Sequence, residues 1–298
     1  MIKISNGFSL IELLIAMSLG GIVMAFAIRD YSLTSYQYNK QVSLLNSKTN
    51  QLNALEIIIK SIDKAGMNGY SNLNASRFEI VDNASNASAL KPIVYVVSHT
   101  NNKAISELGL MKKGSGEYVA GNDILVIHSS SDSAYSNPKA LLKGSNMILL
   151  PGRLKLKVGD TIVIATYNRF YYFDVKKIEN AHKQMQRVFL NFPLNDEIPK
   201  DSIISKFTEN VFYIGQSSRK ENNTQIKSLY VKYQNKRYEV IENLAHLEIA
   251  CLIQKENQLM TLPADAITNW GQLKAIQLRI GNTTNLINRL IAIQQYRK

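Results

Sequence analysis

GFSLIELLIAMSLGGIVMAFAIR, residues 7–29, decides how the rest of the chain is read. From Phe8 to Ile28 this stretch holds a single ionisable side chain, Glu12. At about 1.5 Å of rise per residue, a helix of that length is close to what crosses a bilayer core of about 30 Å. Lys3 stands before it and Arg29 closes it. A secretory signal peptide explains part of the pattern, with Lys3 as its basic start and Ala25-Phe26-Ala27 as its cleavage site. It does not explain an apolar run beyond the usual core of about 7–15 residues. Nor does it explain Glu12, because a carboxylate in hydrocarbon costs roughly 2.5–3.5 kcal/mol and is kept there for a function.

The segment GFSLIELLIAMSLGG resembles the N-terminal processing and methylation motif of type IV prepilins and type II secretion pseudopilins: Gly, then Phe, then an acid four residues further into an otherwise apolar run. The resemblance implies that Gly7 ends a leader (residues 1–7) removed by a prepilin peptidase, that Phe8 becomes an N-methylated N-terminus, and that Glu12 serves filament assembly. It also implies a single-pass inner-membrane protein with a cytoplasmic N-terminus and a periplasmic C-terminal domain, later carried into a pilus at the cell surface. The physics fits these roles. Cleavage before Phe8 creates an α-amino group, cationic at neutral pH, and a neighbouring subunit's Glu12 would neutralise it and fix the axial register. Pairing of Glu12 with its own amine, or simple protonation, are the other readings.

A long helix is expected over residues 8–65, on the order of 87 Å, with 8–28 in the membrane and 29–65 amphipathic. No Gly occurs from Ile22 to Ala65, and the first Pro of the chain is Pro92. Tyr38, Val42, Leu45, Leu52, Leu55, Ile59 and Ile62 recur at helical spacings, too sparsely for a coiled coil. Gly66 is a natural stop. Gly20-Gly21 is the weak point: either the helix unwinds there, or small residues let a neighbouring helix approach.

Residues 66–298 read as a β-rich domain, which makes the fold α+β with a large, mostly antiparallel sheet region. Asn72–Ala89, rich in Asn, Ser and Ala, reads as a solvated loop. Strand-like runs then follow at 93–98, 123–128, 147–150, 161–166, 170–175, 187–192, 211–214, 228–233, 247–253 and 275–280, and Asn235-Lys236 suggests a hairpin turn. The order of these segments is similar to PilW-type minor pilins: Ser61–Tyr70 after the helix, Gly159-Asp160 before a strand, Ser228–Tyr230, Glu242-Asn243-Leu244 before Leu247-Glu248-Ile249, and Leu273–Ile280. Met67 stands where that pattern has an aromatic, and no Cys follows Gly69. The resemblance implies other minor pilins, the pilus tip and assembly proteins, and the major pilin as partners. The large minor pseudopilin of type II secretion shares both the N-terminus and this order of elements.

Catalytic and cofactor chemistry find little support. The 298 residues are 45% hydrophobic and 19% charged, which excludes wholesale disorder. One cysteine, Cys251, excludes an internal disulfide framework and a Cys-based zinc site, and its apolar setting reads as a buried thiol. His99, His128, His182 and His246 are scattered singly, so no metal or catalytic set is expected. Gly114–Val119 lacks the third Gly of a dinucleotide loop and reads as a turn, and Asp196, Glu197 and Asp201 lack the spacing of a calcium loop. No cofactor is expected. An exported hydrolase would need a constellation that these residues do not form.

The formal charge is +12, and residues 139–240 hold 18 Lys and Arg against 9 Asp and Glu. Tyr and Phe are interleaved with them, so a tip subunit binding nucleic acid or an acidic polymer is the second functional class. Its candidate contacts are Lys155, Lys157, Arg169, Lys176, Lys177, Lys232, Lys236 and Arg237. Two faces of surface strands would give the same alternation.

Overall fold

A computed structural model describes residues 10–65, 79–83, 93–167, 169–181, 184–221, 223–255, 258–267, 269–282 and 285–293. Its contacts divide the chain into two units, Met1–Thr49 and Asn50–Lys298. The described residues of the first unit are helix. They belong to α1, which runs unbroken over Leu10–Asp63. Its apolar side chains are exposed along the whole membrane-length stretch, from Leu10 to Ile28. Ser18 and Ser32 donate their hydroxyls back to the carbonyls of Leu14 and Ile28, which satisfies them without any outside partner. Gly20 and Gly21 lie inside the helix, and a Cβ at either would meet nothing within 4 Å. Packing within the chain therefore does not demand glycine at these positions.

The second unit is built on two sheets. In the larger, β9 (Ile203–Glu221, 19 residues) is the spine. One edge of β9 pairs with β4 (Ile124–Ser136), and beyond β4 lies β2 (Val94–Val97). Along its other edge β9 pairs first with β6 (Thr161–Ala165) and then with β10 (Thr224–Tyr233). From β6 the sheet continues through β7 (Arg169–Asn180) and β8 (Met185–Leu190) to β5 (Met147–Pro151), and from β10 it ends in β11 (Lys236–Glu242). The smaller sheet has the order β13 (Gln258–Pro263), β12 (His246–Lys255), β14 (Leu273–Gly281), β15 (Leu286–Ala292). Its central strand β12 alternates buried and part-exposed residues, as expected when one face is packed.

The last turns of α1 close the main core. Ala54, Leu55, Ile58 and Ile62 pack with Val94, Leu125, Phe212 and Ile214 of the large sheet and with Ile249, Cys251, Ile276 and Leu278 of the small one. The opposite face of β4, β9 and β10 is covered by Ile105 of the short helix α2 (Asn102–Glu107) together with Leu108, Leu110 and Tyr118. A separate core fills the β5–β8 end around Phe173, Val188 and Ile204. Gln51 is buried at the edge of the main core, and its Nε2 donates to Asn285 O at 2.9 Å, fastening the helix to the β14–β15 turn. A buried amide needs such a partner.

Several sequence expectations change. Asn72–Ala89 is not wholly a loop: Glu79–Asn83 is a strand, β1, paired parallel with β7, while residues 72–78 and 84–89 lie outside the described residues. This strand escapes the reading because the Asn- and Ser-rich composition around it outweighs five residues of mixed polarity. The helix buries 51, 54, 55, 58 and 62, whereas Tyr38, Leu45 and Leu52 are exposed. The hairpin turn sits one residue earlier, at Gln234-Asn235, both in left-handed backbone as a two-residue hairpin turn requires. The helix stop expected at Gly66 lies outside the described residues.

Cys251 is fully buried in the main core, and burial, with Asp123 adding to it, pushes its thiol up to about 12. The thiolate is the reactive form, so native protein is expected to resist a maleimide that labels it fully in denaturant. Stoichiometric labelling of the folded chain would contradict the packing of β12.

Candidate functional site

Glu12 lies in the first turn of α1 as described, on a helix long and apolar enough to cross a membrane. Leu10, Ile11, Leu13, Leu14 and Ile15 surround it in sequence, each more than half exposed. An acid near a helix N-terminus is favoured by the helix dipole, typically by about 0.3–1 kcal/mol. That is well below the cost of placing it in hydrocarbon, so the dipole alone does not explain a carboxylate here. An apolar surface of this length needs a cover, either lipid or other helices. Gly7 and Phe8 lie outside the described residues.

Four of the eight basic candidates are engaged within the protein. Arg237 is spent on backbone: its guanidinium donates to the carbonyls of Gly109 at 2.7 Å, Lys112 at 3.0 Å and Gly116 at 3.1 Å. Lys232 donates to Leu108 O at 2.7 Å, and burial, helped by Arg237 against Glu209, holds its pKa below the ordinary lysine value. Together they clamp the segment after α2 onto the β10–β11 hairpin. Arg169 pairs with Asp196 at 3.0 Å, and Lys177 pairs with Glu179 at 2.6 Å while lying over the Phe189 ring. Lys155 and Lys157 are exposed on one turn, Lys176 on β7 and Lys236 at the start of β11. No sequence signal separated the clamping residues from the exposed ones, because both kinds alternate with aromatics.

Several other titratable groups are held in internal pairs. His128 is buried, 3.2 Å from Glu209, with its ring between Tyr95 and Phe207. His99 Nδ1 lies 3.1 Å from Asp123. His246 is half-buried at the start of β12, and His182 lies outside the described residues. Burial raises the Glu239 pKa, but hydrogen bonds from Ser228, Arg219 and Ser217 outweigh it and hold the carboxyl below its usual value. That acid ties β9, β10 and β11 together. Among the described residues no three His, Cys, Asp or Glu are grouped to hold a metal ion. The Gly114–Val119 stretch is a turn leading into β3 (Glu117–Tyr118). Gly215 faces it so closely that a Cβ there would stand 3.1 Å from the Gly116 Cα and 2.8 Å from the Tyr230 ring.

Asn122 and Asp123 were missed as structural groups. Asn122 Oδ1 accepts from Leu247 N–H at 2.8 Å, and Asp123 Oδ2 accepts from Ile249 N–H at 2.9 Å. In sequence Asp123 only opens the strand-like run 123–128, and Asn122 carries no signal.

Residues 2–28 match the family model described as the prokaryotic N-terminal methylation motif. No curated protein matches the chain. Among solved structures the chain is similar to the phage phi92 endosialidase, at 12% identity and a TM-score of 0.18, over 60% of this chain and 34% of that one. The chain spans about a third of that protein, and a likeness so low carries no argument about fold or activity. The matched segment takes in the exposed apolar start of α1 and its one acid, Glu12, so over residues 2–28 the chain is similar to proteins that carry the prokaryotic N-terminal methylation motif.

Proposed function

We propose that the chain is a low-abundance, PilW-type minor pilin that co-assembles with other minor pilins to prime or cap a type IV pilus. The observation that carries this is the exposed, membrane-length start of α1, with Glu12 as the acid of its first turn, in a segment that matches the methylation motif. The subunit waits in the inner membrane, N-terminus in the cytoplasm and β-rich unit in the periplasm, until prepilin peptidase cuts after Gly7. Its chemistry is helix packing and one ion pair between the Phe8 amine and Glu12, without turnover. A basic tip surface for nucleic acid is disfavoured by the internal use of Arg237, Lys232 and Arg169.

Mass spectrometry of the protein purified from membranes tests the proposal. A mature chain beginning at N-methylated Phe8 is expected. One beginning at Ile28, after the Ala25-Phe26-Ala27 site, would sink it. Crosslinking in the same membranes identifies the partner subunits, and recovery of secretion pseudopilins in place of minor pilins would overturn the pilus assignment.

A further inference from the structure

The edge of β9 that carries β6 and β10 is interrupted. β6 pairs with Ile203–Lys206, and β10 takes up the pairing at Asn210. Among the described residues neither the β6 ladder nor the β10 ladder extends over residues 207–209, whereas the opposite edge stays paired with β4 there. Gly159–Thr161, which lead into β6, face the Gln234-Asn235 turn of the β10–β11 hairpin across the gap. Together with Lys232 they enclose a cleft of about 190 Å³ with Phe207 on its wall. That is below the roughly 300–1,000 Å³ of pockets for drug-sized ligands, so it admits a single ring.

The cleft is polar but electrically balanced. Its charged lining is two carboxylates, Asp160 and Glu209, and two ammonium groups, Lys206 and Lys232, in a chain of formal charge +12. Each has a local partner: Lys206, its side chain 7% exposed, lies 2.6 Å from Asp160, Glu209 lies 3.2 Å from His128, and Lys232 donates to Leu108 O. An ionic ligand would meet its own charge on the wall and disturb pairs already made. What the cleft offers is hydrogen bonding of both senses: Asp160, whose Oδ2 already holds Lys157 N–H and Lys206, can accept at its other oxygen, the amides of Gln234 and Asn235 both donate and accept, and half-buried Phe207, its ring packed on His128 and Tyr172, adds an apolar residue to the lining. Hydroxyls that donate and accept, arranged around a ring with an apolar C–H face, match this set. We propose that the notch between β6 and β10 binds one pyranose residue of a neutral glycan. The proposal is independent of the pilin reading, since it uses neither Glu12 nor the residues before it.

The test uses the full chain in a zwitterionic detergent, because glucoside or maltoside detergents would compete. Methyl glycosides of glucose, galactose, mannose and N-acetylglucosamine are the neutral probes, with glucuronic acid and single-stranded DNA as charged ones. Saturation-transfer NMR is expected to mark the ring C–H protons of at least one neutral glycoside, with a Kd on the order of 1 mM for so small a ligand. Hydrogen exchange of the unmodified protein should slow in segments 205–210 and 231–237 on adding that sugar. Asn235→Gly keeps the left-handed turn position and deletes the amide, and should weaken binding about fivefold. Silence from every neutral glycoside, binding of the charged probes only, or protection confined to other segments would each overturn the proposal. Should the variant not fold, the exchange pattern of the unmodified chain decides alone.

Discussion

Glu12→Leu is expected to leave cleavage after Gly7 intact and to remove the subunit from filaments. The substitution separates two roles that a carboxylate in hydrocarbon could have. On insertion scales leucine replaces a cost of roughly 2.5–3.5 kcal/mol with a small gain, so membrane insertion should improve. If Glu12 were merely tolerated, assembly would improve with it. In the proposed ion pair, by contrast, leucine leaves the Phe8 ammonium buried and alone, and breaking a buried pair by removing one partner costs about 3 kcal/mol or more. That corresponds to roughly a hundredfold less incorporation. Sheared filaments and the residual membrane fraction, compared by immunoblot with wild type, give both quantities at once. Glu12→Asp, which keeps the charge on a shorter arm, should fall between the two. Wild-type incorporation of the leucine variant would remove the ion pair from the mechanism.

How much of this was legible depends on the range of the interactions involved. The membrane-length helix and its acid are local facts, readable because length, hydropathy and one charge lie within a few turns. Most strands of four or more residues were readable too, since Val, Ile, Tyr and Phe cluster where both faces are covered, as in Ile124–Ile127 and Phe170–Phe173. The face of α1 was not. Ile57, Ile58 and Ile59 stand in a row, and only docking chooses Ile58, which is fully buried, together with Ala54 and Gln51, over Leu52. A buried glutamine reads as surface until its partner, Asn285 O, is known from the other end of the chain. The 19-residue reach of β9 was equally hidden: only Val211–Ile214 carries a strand signature, and the remainder is held by pairing with β4, β6 and β10. Lys232 and Arg237 show the same limit for the site. Their alternation with tyrosines suggested a polymer-binding face, but the carbonyls that take up their donors come from residues 108–116, more than a hundred positions away.

Asp123→Ala is expected to destabilise the β-rich unit strongly for a change outside the hydrophobic core. On one edge β12 is paired to β13 only from Ala250 onward, which leaves Leu247 and Ile249 without a strand partner on that side. Asn122 and Asp123 take its place: Asn122 Oδ1 accepts from Leu247 N–H, while Asp123 Oδ2 accepts from Ile249 N–H and Oδ1 from His99 N–H at 3.1 Å. One carboxylate, 7% exposed, thus joins the small sheet, the start of β4 and the turn after β2. Alanine keeps the backbone bond from Asp123 N–H to Leu247 O but leaves two backbone donors unmet. At about 1–3 kcal/mol for the buried orphan at Ile249, with a smaller part from the solvent-accessible His99 turn, the loss should be about 3 kcal/mol, or roughly 10 °C in Tm for a unit of this size. Asp123→Asn retains one acceptor but turns an amide N–H toward a donor, and should lose about half as much. Thermal melts followed by circular dichroism give the magnitude, and hydrogen exchange gives the place, since faster exchange should begin at Ile249 and His99. A drop in Tm of less than about 2 °C for the alanine variant, with exchange unchanged at those two amides, would mean that hydrophobic packing between the sheets alone holds β12 in position.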